Sequence, residues 1–270
     1  LNVLFCDSAD NIVTYSNDDY NFSWAYCRGG DATNAGLPKF EEVFKRSTKS
    51  DASAEYDQST QFIYEVAFKD TTATASVNDP DGNNNLIALR VYPNNIQTAD
   101  TSMKDSVNPD LWYSLFATTA DSNYTSTTVD GYKAVVVNNT YYIAGTYLND
   151  DETNLTPYIF VLAYSADASE ATVNTVKAML EHFNFNQDSS LMASCEANKQ
   201  LVVRDTARVN DLGSMAYVLS KYRSQNADYP KLDEGSYIAH LTTSVWPSWS
   251  AALGNVLGQR LPTDPVNAFN

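Results

Sequence analysis

The chain has 270 residues, 43% of them apolar, with 33 acidic against 17 basic side chains and a formal net charge of −16. That length accommodates two modest domains with separate cores. The charge argues against nucleic acid and anionic lipid surfaces as partners, since both demand clustered Lys and Arg, and the longest basic run is Lys45-Arg46.

Eighteen tyrosines, many Asn, Thr and Ser, and few lysines give the balance of a secreted, β-rich protein. No apolar run approaches the 18 or so residues of a membrane span. The sequence opens on "LNVLFCDS" without Met and closes on "DPVNAFN" without a cap. We read it as a mature or trimmed fragment, with any export signal or membrane anchor outside it.

Residues 1–36 alternate in "NIVTYS" and "NFSWAYC", then reach the glycine-bearing linker "RGGDATNAG". They predict a small hairpin or N-terminal arm. Cys6 and Cys27 bracket its polar turn, and a bridge between them would contribute roughly 3 kcal/mol; two free thiols are the alternative. Cys195 is left to pair outside this sequence, with another subunit, or with nothing.

Residues 37–187 predict one α+β domain. "FEEVF" reads as a helical turn. "QFIYEVAFKD" and "LIALRVYP" read as strands flanking the turn "NDPDGNNN". "NPDLWYSLFA" starts a helix with Asn108 at the N-cap and Pro109 at its first position. Past "VDGY" come the strands "KAVVV", "TYYIAGTYL" and "PYIFVLAYS". A helix over "DASEATVNTVKAMLEHF" follows, capped by Asp167 or Ser169, with Val173, Val176, Leu180 and Phe183 facing a sheet and His182 in the last turn.

Residues 188–202 read as a polar linker, and 203–270 as a small helical module. Val202, Val209, Leu212, Ala216 and Leu219 form one stripe of its first helix. Arg204, Asp205, Arg208, Asp211, Lys221 and Arg223 take the solvated faces. "NADYP" stops it. A second helix begins near Pro247, buries Trp249, Leu253, Val256 and Leu257, and ends at Gly258.

Two resemblances follow from these stretches. "TTVDGYKAVVVNNTYYIAG…PYIFVLAYSADASEATVNTVKAMLEHFNF" is similar to the second half of the Mog1/PsbP-like fold, over roughly residues 60–187; that likeness implies an accessory or binding module and no activity. "RDTARVND", "YPKLDEGSY", "TTSVWPSW" and "LPTDPVN" closely resemble, in that order, pilin/pseudopilin-like modules of surface proteins from candidate-phyla-radiation bacteria. Missing from the pattern is the hydrophobic N-terminal helix with which pilins pack into a shaft. The implied fold class is α+β: an antiparallel-sheet, PsbP-like domain with packed helices, then a mostly helical pilin-like module.

The catalytic vocabulary is thin. His182 and His240 are far apart, and no Walker A, H-E-x-x-H, G-x-S-x-G or C-x-x-C pattern occurs. Both histidines read as structural or surface residues. Asp79, Asp81 and Asn83 alternate as in a calcium loop, but the twelfth position from Asp79 is Arg90 rather than a bidentate Glu, which favours a plain hairpin turn. The acidic turn "LNDDETN" reads as solvated. By the pseudopilin resemblance Asp264 is another calcium candidate. Tyr229, Tyr237, Trp246 and Trp249 are candidate anchors for another subunit or a glycan, with filling of a small core as the alternative for Tyr229 and Trp249. Sequons stand at Asn21, Asn123, Asn138 and Asn154, and chance accounts for them in a bacterial chain this rich in Asn, Ser and Thr.

The expectation is an extracellular, cell-surface structural protein without catalysis or an obligatory cofactor: a self-associating subunit of an appendage, filament or surface layer, or an adhesin. Its cohesion would come from a sheet edge, the 1–36 arm or apolar patches. The alternative is a monomeric module binding a small molecule or sugar.

Overall fold

The computed structural model describes residues 12–27, 40–47, 62–70, 86–97, 104–116, 123–149, 154–186, 196–232 and 235–266. Twelve strands lie among them: β1 (Ile12–Asn17), β2 (Phe22–Cys27), β3 (Phe40–Ser47), β4 (Tyr64–Asp70), β5 (Leu86–Pro93), β6 (Ile96–Gln97), β7 (Lys104–Asp105), β8 (Thr125–Val129), β9 (Tyr132–Val137), β10 (Thr140–Leu148), β11 (Leu155–Tyr164) and β12 (Asn184–Phe185). The helices are α1 (Pro109–Phe116), α2 (Glu170–Glu181), α3 (Glu196–Asn226) and α4 (Gly254–Leu257), the last continuing a π-helical stretch over Ser248–Leu253. The fold class is α+β, with antiparallel sheets and packed helices.

The main sheet has seven strands in the order β3-β4-β5-β11-β10-β9-β8, each antiparallel to its neighbours. Alternation within strands gives it two apolar faces. On the first, Val66, Leu89, Ile143, Phe160 and Leu162 meet Val176 and Met179 of α2 and the rings of β2. On the second, Ile159, Val161 and Ala144 meet Trp112 of α1 and the flank of Tyr217 on α3.

The N-terminal hairpin belongs to the first face. Phe22 is fully buried and Trp24 is 1% exposed, and the two rings stack at 5.6 Å, with Phe183 stacked on Phe22 at 5.7 Å. β2 also pairs with β12 beyond α2. Of the two expectations for this segment, the hairpin is present and the arm is not: its aromatic side chains need a partner surface larger than a hairpin provides, and the sheet supplies it.

Two helix expectations also change. "FEEVF" is the start of β3, an edge strand with a bulge between Glu42 and Phe44. There, pairing with β4 overrides a local pattern too short to nucleate a helix. The linker expected over 188–202 is helical from Glu196, so α3 runs for 31 residues. Ser169 does cap α2, its hydroxyl accepting the Thr172 N–H at 3.2 Å. The buried face of α2 is Thr172, Thr175, Val176 and Met179, while Val173 is only half-buried.

The larger correction concerns which face of α3 is inside. Of the expected stripe, Val202 is buried against Leu148 and Leu219 packs beside Met215, but Val209 is 52% and Leu212 70% exposed, whereas Thr206, Asn210 and Asp211 are buried. The surface beneath carries polar groups that need partners once covered. Thr206 shares a hydrogen bond with Thr146 at 3.2 Å. Asn210 accepts from Asn94 at 3.5 Å, and Asn94 pairs with both the N–H and the carbonyl of Val107 at 2.9 Å each. Near the start of α3, Lys199 pairs with Asp130 and donates to Asn184 at 3.1 Å. The helix expected to follow a linker is thus fastened along the sheet domain.

At the β8–β9 turn, Asp130 and Gly131 both have positive φ, 51° and 86°, as a two-residue type I′ hairpin requires. Beside it Tyr132 is 1% exposed, and its phenol is pushed up to about 12, chiefly by burial and further by the Asp130 charge. The folded state therefore holds the neutral phenol more firmly than the unfolded chain does. Stability from this group is complete below pH 10 and is lost as pH rises from 10 through 12, on the order of 2–3 kcal/mol. Urea midpoints measured across that range are expected to fall less steeply in Tyr132→Phe than in the wild type.

Candidate functional site

The second face ends in a cleft of about 760 Å³ where α1, β8, β9, α3 and the segment after α4 converge. Each element delivers its side chains for a local reason. Lys133 follows the β8–β9 turn, and strand alternation places it on the same face as Val135. Asn108 precedes Pro109, which fixes the start of α1. Asp211 comes from the buried polar side of α3.

These three side chains form one network. Lys133 Nζ lies 2.6 Å from Asp211 Oδ1, which also accepts from Asn108 Nδ2 at 2.7 Å. The Asn108 carbonyl oxygen receives a longer bond from Lys133, 3.4 Å, and Ser214 Oγ accepts the Asn108 N–H at 2.9 Å. Asn108 does stand at the N-cap, but its amide serves Asp211; its backbone carbonyl takes the first helical bond, from Trp112 N–H at 2.9 Å. Asp211 was expected on a solvated face and is instead 8% exposed, because Lys133 and Asn108 satisfy it. A carboxylate so engaged is a tie between helix and sheet rather than a free base.

The remaining wall mixes chemistry. Val135, Leu111, Met215 and Leu261 are apolar, while Ser126, Thr127 and Thr263 bring hydroxyls and Arg260 lies exposed on the rim. Tyr124 donates to Asp110 at 3.5 Å, and its phenol is pushed up by partial burial and by the Asp110 charge. An apolar lining with a few directed polar groups suits a small polar molecule.

The residues singled out from sequence lie mostly elsewhere. Asp264 is held by Arg208, with Nε–Oδ2 at 2.8 Å and Nη2–Oδ1 at 3.1 Å. Both carboxylate oxygens are engaged by that fork, an ion pair that joins α3 to the C-terminal segment. Asp79, Asp81, Asn83, Cys6 and Cys195 fall outside the described residues. Cys27 is disulfide-bonded, its partner also outside them. Among the described residues no three His, Cys, Asp or Glu side chains converge as a metal site would need.

The four aromatics divide. Trp249 packs with Met215, Leu253 and Leu261 and donates to the Pro262 carbonyl at 3.2 Å. Val256, expected beside it, is 43% exposed. Trp246 is half-buried and stands edge-on to Tyr237 at 5.4 Å, while Tyr237 itself is 78% exposed. Tyr229 is exposed with the Arg223 guanidinium over its ring at 5.2 Å. His182 forms the C-cap of α2, its Nδ1 2.8 Å from the Ala178 carbonyl, and His240 sits exposed at φ 64°. Of the sequons, Asn123, Asn138 and Asn154 are exposed, but Asn21 is buried in the β1–β2 turn; a glycan there is incompatible with the fold.

No family model matches this sequence, and no curated protein matches it. Among solved structures it is similar to cyanobacterial PsbP (CyanoP) from Synechocystis sp. PCC 6803, at 14% identity and a TM-score of 0.30, over 66% of this chain and 95% of that one. An overlap at that score bears neither on what this chain does nor on how its cleft works.

Proposed function

We propose that this chain is an exported, non-catalytic bacterial surface protein that self-associates as a subunit of an extracellular appendage, filament or surface layer. One observation carries the reading. Nine of the eleven large apolar side chains exposed among the described residues fall between Leu201 and Val266, including Leu212, Tyr237 and Tyr229. Scattered exposed apolars need no explanation, whereas a contiguous apolar patch marks an interaction surface; we take these side chains to form one. Leu201, Val209 and Leu212 of α3 supply three of the nine. No helix among the described residues is long and apolar enough to cross a membrane. Attachment to a cell would therefore rest on a segment outside them, or on other subunits.

Electron microscopy of the concentrated protein is expected to show repeating assemblies. Leu212→Ser with Tyr237→Ser, both at exposed positions, is expected to disperse them while circular dichroism stays unchanged. Isolated particles from the unaltered chain at every concentration would sink the proposal.

The cleft supports a second reading, a monomeric module holding a small molecule or sugar. Its test is a thermal-shift screen of saccharides and small anions, in which Tyr124→Ala and Arg260→Ala abolish any stabilisation observed.

A further inference from the structure

The two edges of the main sheet are not equivalent. β3 carries a bulge between Glu42 and Phe44 and exposes the charges of Glu41, Glu42 and Lys45, devices that discourage strand pairing. At the opposite edge β8 reads Thr-Ser-Thr-Thr-Val, regular in register with β9, uncharged, and exposed at its first four residues. Nothing there guards against a further strand.

The hairpin also fixes which backbone groups β8 offers. In a two-residue hairpin the residues flanking the turn exchange hydrogen bonds, so Val129, Thr127 and Thr125 point their N–H and carbonyl groups toward β9. Those of Ser126 and Thr128 point outward. Among the described residues no strand lies beyond them.

We infer that β8 pairs antiparallel with β8 of a second copy, about a two-fold axis at Thr127. This rests on the self-association reading above and names one of its contacts. The register is self-complementary: Ser126 of each copy meets Thr128 of the other as a bonded pair, using all the outward groups, and Thr127 faces Thr127 as the non-bonded pair. The seven-stranded sheet becomes continuous across the two copies. Short hydroxylated side chains allow that approach, and cross-strand Thr–Thr and Thr–Ser pairs are favourable. Such a contact is isologous and closes on itself. A second, different surface must therefore extend the assembly, and Val209 and Leu212, exposed on α3, are available for that. A charge of −16 on each copy opposes the pairing, so screening by salt strengthens it.

Sedimentation velocity of the full chain tests this at about 0.02 M and about 0.5 M salt, with Leu212→Ser present to silence the α3 surface. Dimer is expected, favoured at the higher salt. Thr127→Lys and Thr127→Glu are each expected to weaken it by at least about tenfold, since like charges then stand directly opposed. Mixing the two variants is expected to restore it, because opposite charges meet only if Thr127 faces its counterpart. Ser126→Pro, tolerable at an outward-facing edge position, is expected to remove the dimer in the same way. Dimers that ignore all three substitutions would overturn the β8 contact and leave self-association standing. With Leu212→Ser present, a chain monomeric in every condition would overturn the β8 contact; an unaltered chain monomeric in every condition would overturn both. If the single variants dissociate and their mixture does not re-form the dimer, the two-fold register at Thr127 is wrong.

Discussion

Phe22→Ala is expected to destabilise the protein by about 3–5 kcal/mol, the range for deleting a fully buried ring. Phe22 has no exposed surface and lies against Trp24, Phe160 and Phe183 at centroid distances of 5.6, 5.7 and 5.7 Å. Those rings come from β2, β11 and the end of α2, so the cavity would open between layers that cannot collapse independently. A total stability of roughly 5–15 kcal/mol is typical of single domains, so a loss of this size leaves little margin. Urea unfolding followed by tryptophan fluorescence measures it. A cost under about 1 kcal/mol would mean that the hairpin is peripheral after all. Removing residues 1–36 is, for the same reason, expected to unfold the sheet domain rather than only abolish association.

Gly213→Ala is the second large effect. A Cβ at Gly213 would stand 1.9 Å from the Ser106 carbonyl oxygen and 3.1 Å from Asp105 Cβ. A helix normally gains about 1 kcal/mol from this substitution. Here one methyl meets fixed backbone, and α3 must lift away from the loop between β7 and α1. Lifting it strains the adjacent bonds of Asn210 to Asn94 and Asp211 to Lys133 and Asn108. Overpacking of this kind costs typically 1–3 kcal/mol and sometimes more, which outweighs the helical gain. The expected result is a lower urea midpoint, with faster hydrogen exchange confined to α3 and the β7–α1 connection. Unchanged or increased stability would show that α3 is not seated on that carbonyl.

Strands were the most legible part of the fold, since β4, β5, β9, β10 and β11 are β-branched or aromatic runs bounded by turn residues. The turn at "VDGY" was legible for the same local reason, although the strand β8 before it was not, and Asn108-Pro109 marked the start of α1. β3 was not legible. Its five-residue apolar and acidic pattern suits a helical turn as well as a strand, and only pairing with β4 decides between them. The helix over Val202–Tyr222 was foreseen, and so was the burial of Val202, but the exposure of Val209 and Leu212 was not. Periodicity locates an apolar stripe, and the usual assumption is that the stripe goes inside. The middle of α3 breaks that assumption at Val209 and Leu212, because the loop and strands beneath it present Asn94, Thr146 and Lys133, which only polar partners can satisfy. The cleft was illegible for a related reason: Lys133, Asn108 and Asp211 are separated by 78 residues between Lys133 and Asp211, and none belongs to a recognised motif.

Local chemistry in the sequence by itself determined the strand runs, the hairpin turns, the cap of α2 and the acidic, hydroxyl-rich character of the surface. Each of those depends on neighbours a few residues away. The tertiary structure alone decided that the first hairpin is core, that α3 turns Val209 and Leu212 to solvent, and that Asp264 answers to Arg208. Those outcomes depend on which groups are left needing a partner when distant segments meet, and that is settled only when the segments are packed.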